Sequence, residues 1–315
     1  MTKEVNIVVI DSYGPAIPSA MIDKYPQVAS WGGYEPSPLA IRNLHPHGSQ
    51  CAEKILTALH NPEEVKVHMR FLRIFGRNAV YTGMDLGAWQ WLRDVASERE
   101  TYINNSWGGY IGDRAPDYSQ QMTANRWRQF IEDTGARVVW AAGNTGNYLP
   151  DENRESPQSL LTDISFKVGS TNERGRTSAF SGDSQKAPPA VCMWGEHIIL
   201  YNGVTDRYSR GSGTSFAAPK LTALWAKVGG TFSEFSEYIK ENTVYPGDLG
   251  DLRPHPKWGY GWLEMEYQKM LADSPYLYLK RTGMLSAVDN SYWYDFTETS
   301  ADGGVCPAPS QECVE

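Results

Sequence analysis

The sequence predicts an α/β fold around a doubly wound, mainly parallel sheet. Three observations carry the prediction. Strand-like and helix-like segments alternate through residues 1–272, the order that winds a parallel sheet. Val5–Ile10 is a β-branched run that ends at Asp11, with Gly14 and Pro15 breaking it. The length, 315 residues at 41% hydrophobic, allows a sizeable core as one large domain or two small ones.

The remaining elements follow in chain order. Gly48 to His60 reads as a helix because Cys51, Ile55, Ala58 and Leu59 recur at helical spacing. Lys66 to Ile74 alternates as a strand does. Asp85 to Arg99 places Leu86, Trp89, Leu92 and Val95 on one side of a second helix. Tyr102-Ile103-Asn104 is a short strand running into Ser106-Trp107-Gly108-Gly109. A long helix spans about Ser119 to Asp133 and closes at Gly135, as a C-terminal cap would. Arg137–Ala142 is a buried strand followed by Gly143-Asn144. Further strands lie near Ile164–Gly169, Val191 and Ile198–Tyr201. Helices are expected over Ser215 to Val228, about Ser233 to Glu241, and Leu263 to Ala272. No internal repeat is visible. Residues 273–315 lose this periodicity, carry many aromatics such as Tyr292, Trp293 and Tyr294, and read as an appendage to the 1–272 domain.

Composition narrows the function classes. A net charge of −8 with no basic run argues against nucleic acid or an anionic membrane surface as the main partner. The longest apolar stretches, such as Ile7 to Ile10, fall far short of the roughly 20 residues of a bilayer span. Met1-Thr2-Lys3-Glu4 leads straight into the first strand, without a signal-peptide core of about 7–15 apolar residues. Four cysteines (Cys51, Cys192, Cys306 and Cys313) are too sparse for a disulfide scaffold and lack zinc-finger spacing. The expectation is a soluble, intracellular protein.

Three junctions carry complementary polar groups. Asp11 ends the first strand, His47-Gly48 opens a helix, and Gly213-Thr214-Ser215 opens another. The carboxyl ends of strands form the functional edge of an α/β sheet, so all three can converge there. An acid, an imidazole and a hydroxyl are the parts of an activated serine. Each alone has a plainer reading: Asp11 a turn residue, His47 a cap or surface histidine, Ser215 a helix N-cap. His45-Pro46-His47 suggests a metal pair, but no Asp, Glu or Cys stands at ligand spacing, and no metal is assigned.

The flanks of these residues carry more. Val8-Val9-Ile10-Asp11-Ser12, His47-Gly48-Ser49, Ala141-Ala142-Gly143-Asn144 and Gly213-Thr214-Ser215-Phe216-Ala217-Ala218-Pro219 together resemble the subtilisin-like serine proteases, the subtilases. The blocks stand in that family's order of acid, base, oxyanion Asn and nucleophile. Weaker similarities occur at Asn105–Gly109, at Val168-Gly169-Ser170 through Ser178–Ser181, and at Trp258–Trp262, so the likeness covers about residues 5–272. It implies a three-layer α/β/α sandwich with a mainly parallel, doubly wound sheet.

The same resemblance implies Ser215 as nucleophile, His47 as general base and acid, and Asp11 as its orienting carboxylate. The Asn144 amide and the Ser215 N–H would face the oxyanion. Ser106, Trp107 and Gly108 would pair through their backbones with an extended peptide, and Ala141, Ala142 and Gly143 would wall the primary specificity pocket. The implied activity is a serine endopeptidase acting on polypeptides, needing no cofactor for the chemistry. Calcium sites are common in the family, but no acidic loop here assigns one.

The sequence also departs from the family. Tyr13 stands two residues after Asp11, where glycine is usual, so the turn is longer or differently shaped. Gln50 and Glu53 replace a usual His and Gly; Glu53 must face solvent or find a partner, since an unpaired buried carboxylate is costly. Cys51, one helical turn from His47, marks either a thiol-dependent, mercury-sensitive subfamily or a buried, inert thiol. Cys306 and Cys313 could bridge in an oxidising setting. Without a leader, the enzyme would be intracellular, carried by a phage or held in an assembly, with residues 273–315 supplying control or docking. The competing class is a catalytically silent binding or assembly protein on the same fold. A nucleotide-binding α/β protein is disfavoured, since Asp11-Ser12-Tyr13-Gly14-Pro15 is no phosphate loop.

Overall fold

A computed structural model describes residues 2–13, 17–36, 45–59, 61, 63–75, 84–110, 115–146, 155–245 and 253–263. In chain order its elements are β1 (Lys3–Asp11), α1 (Ser19–Lys24), β2 (Val28–Tyr34), α2 (His47–Ala58), β3 (Val65–Arg73), α3 (Leu86–Glu98) and β4 (Thr101–Asn105). Then come β5 (Gly109–Tyr110), α4 (Tyr118–Thr134), β6 (Arg137–Ala141), β7 (Glu155–Ser156), β8 (Phe166–Thr171) and β9 (Val191–Trp194). The hairpin β10 (Ile198–Asn202) and β11 (Arg207–Gly211) precedes α5 (Thr214–Val228) and α6 (Phe232–Asn242). The expected helix Leu263–Ala272, the appendage 273–315 and the pair Cys306 and Cys313 lie outside the described residues, apart from Leu263.

Seven strands form one sheet in the order β2-β3-β1-β4-β6-β8-β9. Every pairing in it is parallel. The central strand shows why the chain makes three layers. Val5, Ile7 and Val9 of β1 pack on one face, against Ile55 of α2, Leu221 of α5 and Phe235 of α6. Val8 and Ile10 pack on the other, against Leu92 of α3 and Phe130 of α4. Both faces are apolar because both are covered; burying each such side chain contributes about 1.5–3 kcal/mol.

This winding fixes the functional edge. From β1 the chain goes to β2 at one edge, returns to place β3 between them, then crosses to β4 on the other side of β1 and onward to β9. The crevice beyond the carboxyl ends of β1 and β4 is thus the point where strand order reverses, the usual place for a site in an open α/β sheet. The helix expected from Gly48 begins one residue earlier, so His47 itself lies in the first turn of α2. α5 packs across β4, β6, β8 and β9 and against α2, bringing the N-termini of the two helices together. At the far edge Trp262 bridges to Cys192 of β9, and the Cys192 N–H donates to the Gly261 carbonyl at 2.9 Å, covering an edge otherwise open to pairing. No helix among the described residues is long and apolar enough to cross a membrane.

Candidate active site

Asp11, the last residue of β1, is 1% exposed, and both its oxygens face the His47 ring. His47 Nδ1 stands 2.8 Å from Asp11 Oδ2 and 3.0 Å from Oδ1. Asp11 Oδ1 also accepts the Ser12 N–H at 2.6 Å. A carboxylate accepting at Nδ1 fixes the tautomer that carries its proton there. Burial disfavours the imidazolium, but the Asp11 carboxylate outweighs it and holds the His47 pKa well above its ordinary 6.5.

Local chemistry explains how two segments 36 residues apart meet so closely. The Ser12 hydroxyl donates to the His45 carbonyl and accepts the Gly48 N–H, both at 3.0 Å, stitching the end of β1 to the start of α2. Gly48 suits this close approach: a Cβ there would lie 3.1 Å from Tyr13 Cβ and 3.2 Å from Asp11 Cβ, tighter than most such contacts. His45 Nδ1 accepts the His47 N–H at 3.2 Å, filling the capping role that Pro46 cannot. Burial pushes the His45 pKa down to about 4, in keeping with a neutral acceptor.

Ser215 is the second residue of α5, where orphan N–H groups give the helix end a partial positive charge. Its hydroxyl donates to the Ser106 carbonyl at 3.1 Å. Asn144 follows β6 after Gly143, whose φ of +92° belongs to the region that favours glycine. Asn144 Oδ1 accepts twice from Thr214, from the N–H at 2.9 Å and from Oγ1 at 3.0 Å. That fixes the amide with its Nδ2 beside the Gly213 backbone, next to Ser215; a Cβ on Gly213 would lie 3.6 Å from it. Thr214 Oγ1 also accepts the Gly143 N–H at 3.1 Å.

Ser106-Trp107-Gly108 and Ala141-Ala142-Gly143 run off neighbouring strand ends, since Asn105 of β4 pairs with Trp140 of β6. Trp107 stacks edge-on against Trp140 with ring centroids 5.3 Å apart, and its Nε1 donates to Asn105 Oδ1 at 3.0 Å. Ala142 is held by its N–H to the Val168 carbonyl at 2.9 Å, and Gln158 Nε2 donates to the Ala141 carbonyl at 3.2 Å. The Ser178–Ser181 segment braces the loop that carries Asn144, with the Gly146 N–H donating to the Phe180 carbonyl at 2.9 Å.

The departures noted in the sequence resolve physically. Tyr13 is fully buried, its ring 5.5 Å from that of Phe71. Glu53 is buried and finds its partners: Lys54 Nζ at 2.7 Å and the Thr57 hydroxyl at 3.0 Å. Cys51 Sγ lies 3.9 Å from His47 Nδ1 and 4.0 Å from Asp11 Oδ2, and it donates to the Ser215 carbonyl at 3.4 Å. Burial raises its pKa, so the thiol keeps its proton at neutral pH.

Asp11, His47 and Cys51 are the described residues with metal-ligand atoms within 4.8 Å of one another, partners that sequence spacing did not offer His47. Asp11 and His47 Nδ1 are committed to each other and the Cys51 S–H to the Ser215 carbonyl, and a protonated thiol is a poor ligand. The set fits an acid–base pair better than a metal centre. Thr214, Ser12, His45 and the Ser106 side chain were missed as site residues; their roles rest on distances across the fold.

A family model described as Subtilase family matches residues 21–245, a span that holds His47, Asn144 and Ser215 and starts after Asp11. The minor extracellular protease Epr of Bacillus subtilis is 28% identical over 152 residues, 46% of this chain and 21% of that protein. A subtilisin-like protease of Coccidioides posadasii is 28% identical over 194 residues, 60% of this chain and 44% of that protein. The matches therefore span less than half the length of either curated relative. Among solved structures, the prenylagaramide maturation protease PagA superposes with a TM-score of 0.62 at 16% identity, over 85% of this chain and 93% of that one. At that identity the likeness is one of fold.

Proposed function

The chain belongs to the subtilase family, and from that premise we propose that it is a serine endopeptidase working by acyl transfer through Ser215. The observation that carries the proposal is the buried pairing of Asp11 with His47 Nδ1, beside a serine at a helix N-terminus and a fixed Asn144 amide.

The steps follow from the geometry. With Nδ1 protonated and directed at Asp11, the other ring nitrogen of neutral His47 is the basic one. Ser215 Oγ turns from the Ser106 carbonyl to His47, gives up its proton and attacks the scissile carbonyl carbon. Negative charge gathers on the former carbonyl oxygen, where Asn144 Nδ2 and the Ser215 N–H donate to it. His47, now an imidazolium stabilised by Asp11, protonates the leaving amine. Water then enters, loses a proton to His47 and hydrolyses the acyl-enzyme. Nucleophile, base and oxyanion donors all come from the chain, so the chemistry calls for no cofactor. The substrate class is polypeptide, laid in extended form along the backbone of Ser106-Trp107-Gly108. Ala141-Ala142-Gly143 wall the pocket for the residue before the cleaved bond.

One observation favours a silent scaffold instead: the Ser215 hydroxyl rests on the Ser106 carbonyl. Labelling with a fluorophosphonate serine-hydrolase probe separates the readings. A stoichiometric adduct on Ser215, lost in Ser215→Ala and followed by peptide hydrolysis, is the expected result. A folded chain that takes no adduct and cleaves no peptide library refutes the enzyme.

A further inference from the structure

The carbonyl of Ser215 lacks its helical partner. In an α-helix each carbonyl accepts the N–H four residues on. Four residues beyond Ser215, inside α5, stands Pro219, which has no N–H and whose ring crowds the carbonyl it faces. A buried orphan carbonyl needs another donor.

Two side chains from other elements supply one. Ser106 Oγ donates to the Ser215 carbonyl at 2.7 Å, and Cys51 Sγ donates to it at 3.4 Å. They lie 109 and 164 residues away in the chain. The Ser106 hydroxyl is aimed rather than free to rotate. Asn104 Nδ2 donates to it at 2.9 Å, which directs its own proton toward Ser215. Asn104 Oδ1 faces the Thr222 hydroxyl, two turns further along α5, at 3.3 Å and shares it with the Ala218 carbonyl at 3.1 Å. Ser106 thus grips Ser215 at two points: its hydroxyl holds the main chain, and its carbonyl accepts the resting Oγ.

We infer that the Ser106 side chain is a positioning residue, replacing with the Cys51 thiol the N–H that Pro219 cannot give. It anchors the first turn of α5 to the end of β4. That turn carries both groups of Ser215 that the proposed reaction uses, the Oγ and the N–H. Catalytic groups must be held to within about 0.5 Å of their working geometry, so a loosened turn slows chemistry before it weakens binding. The kinetic consequence rests on the protease reading; the clamp itself does not.

A double-mutant cycle between Ser106→Ala and Pro219→Ala tests the inference, because the Pro219→Ala change restores the N–H that would bond the Ser215 carbonyl within the helix. With Pro219 present, Ser106→Ala should lower kcat by about 2- to 10-fold at nearly constant KM, the worth of one hydrogen bond. In the Pro219→Ala background the same change should lower kcat by much less. Denaturant midpoints should show the same non-additivity, and they need no turnover. Equal losses in both backgrounds would overturn the clamp. If the wild type neither labels nor cleaves, the protease reading fails while the midpoints still decide the clamp.

Discussion

Replacing Thr214 by valine keeps the shape of a buried side chain and removes one hydroxyl with two duties. Its Oγ1 donates to Asn144 Oδ1 at 3.0 Å and accepts the Gly143 N–H at 3.1 Å. The Thr214 N–H, at 2.9 Å from the same Oδ1, survives the change. The Asn144 amide therefore keeps the Thr214 N–H and loses the hydroxyl, and its Nδ2 gains freedom to swing from the oxyanion. The ceiling on the effect is loss of the donor itself, about 10²–10³ in kcat, a magnitude carried over from subtilisin. The floor is a single neutral hydrogen bond, about 0.5–1.5 kcal/mol, or roughly 2- to 12-fold. We expect Thr214→Val near that floor, in kcat and not in KM, because the oxyanion develops only in the transition state. Thr214→Ser should retain most of the activity. The Gly143 N–H left without its acceptor should also lower stability by about 1–3 kcal/mol. Steady-state kinetics on a fluorogenic peptide, with a denaturant titration, read both. An unchanged kcat would refute the reasoning, as would an equal loss in an Asn144→Ala background, where there is no amide left to orient.

Three further outcomes are expected. Because Asp11 raises the His47 pKa well above 6.5, the acid limb of kcat/KM should lie above pH 6.5 and move down in Asp11→Asn, with kcat falling by about 10⁴; a limb at or below 6.5 would contradict the pairing. The sign for stability is opposite: this pair's contribution is full below the unfolded value of about 6.5 and fades as pH rises through the folded pKa. Burial of Lys220, with the nearby Lys54 charge, holds its pKa well below 10.5, so the unfolded chain binds more protons and stability should rise with pH toward 10.5. Lys220→Met should flatten that slope in a denaturant titration repeated across pH; an unchanged slope would count against it. His45→Ala should lower stability by about 0.5–2 kcal/mol by leaving the His47 N–H uncapped, while His45→Asn, which keeps an acceptor, should lose less; equal thermal shifts for the two would argue against capping.

What could be read in advance followed the strength of each signal. The long central strand and the covered helices were legible because β-branched runs and 3.6-residue spacing reflect burial directly. β2 escaped because Gly32 and Gly33 interrupt an edge strand that is only half buried. α1 is six residues long, too short for a periodic pattern. β11 is polar and half-buried, and becomes a strand by pairing with β10. At the site, Asp11, His47, Asn144 and Ser215 announced themselves by their flanks. The groups that hold them did not, because a hydrogen bond spanning 164 residues, such as Cys51 to the Ser215 carbonyl, leaves no local pattern. Pro219 was the one readable clue, since a proline four residues past a helical serine must orphan its carbonyl.

The place of β1 at the middle of the sheet bears on how the molecule assembles in time. Its residues are synthesised before those of its neighbours, each of which arrives by a parallel crossover, β3 over 60 residues later in register and β4 nearly 100. Contacts of such wide sequence separation slow folding, because the chain must close large loops before any pairing rewards it. Until α5 docks, the strands it covers, β4, β6, β8 and β9, have an open side, so a nascent chain displays apolar surface that is later buried. The same order delays the chemistry. Asp11 emerges some 200 residues before Ser215, and only the docking of α5 brings them to one edge. A ribosome-bound chain ending before residue 228 should therefore carry no reactive serine while presenting a sticky sheet, which makes completion of α5 the step that turns both aggregation risk and inactivity off together.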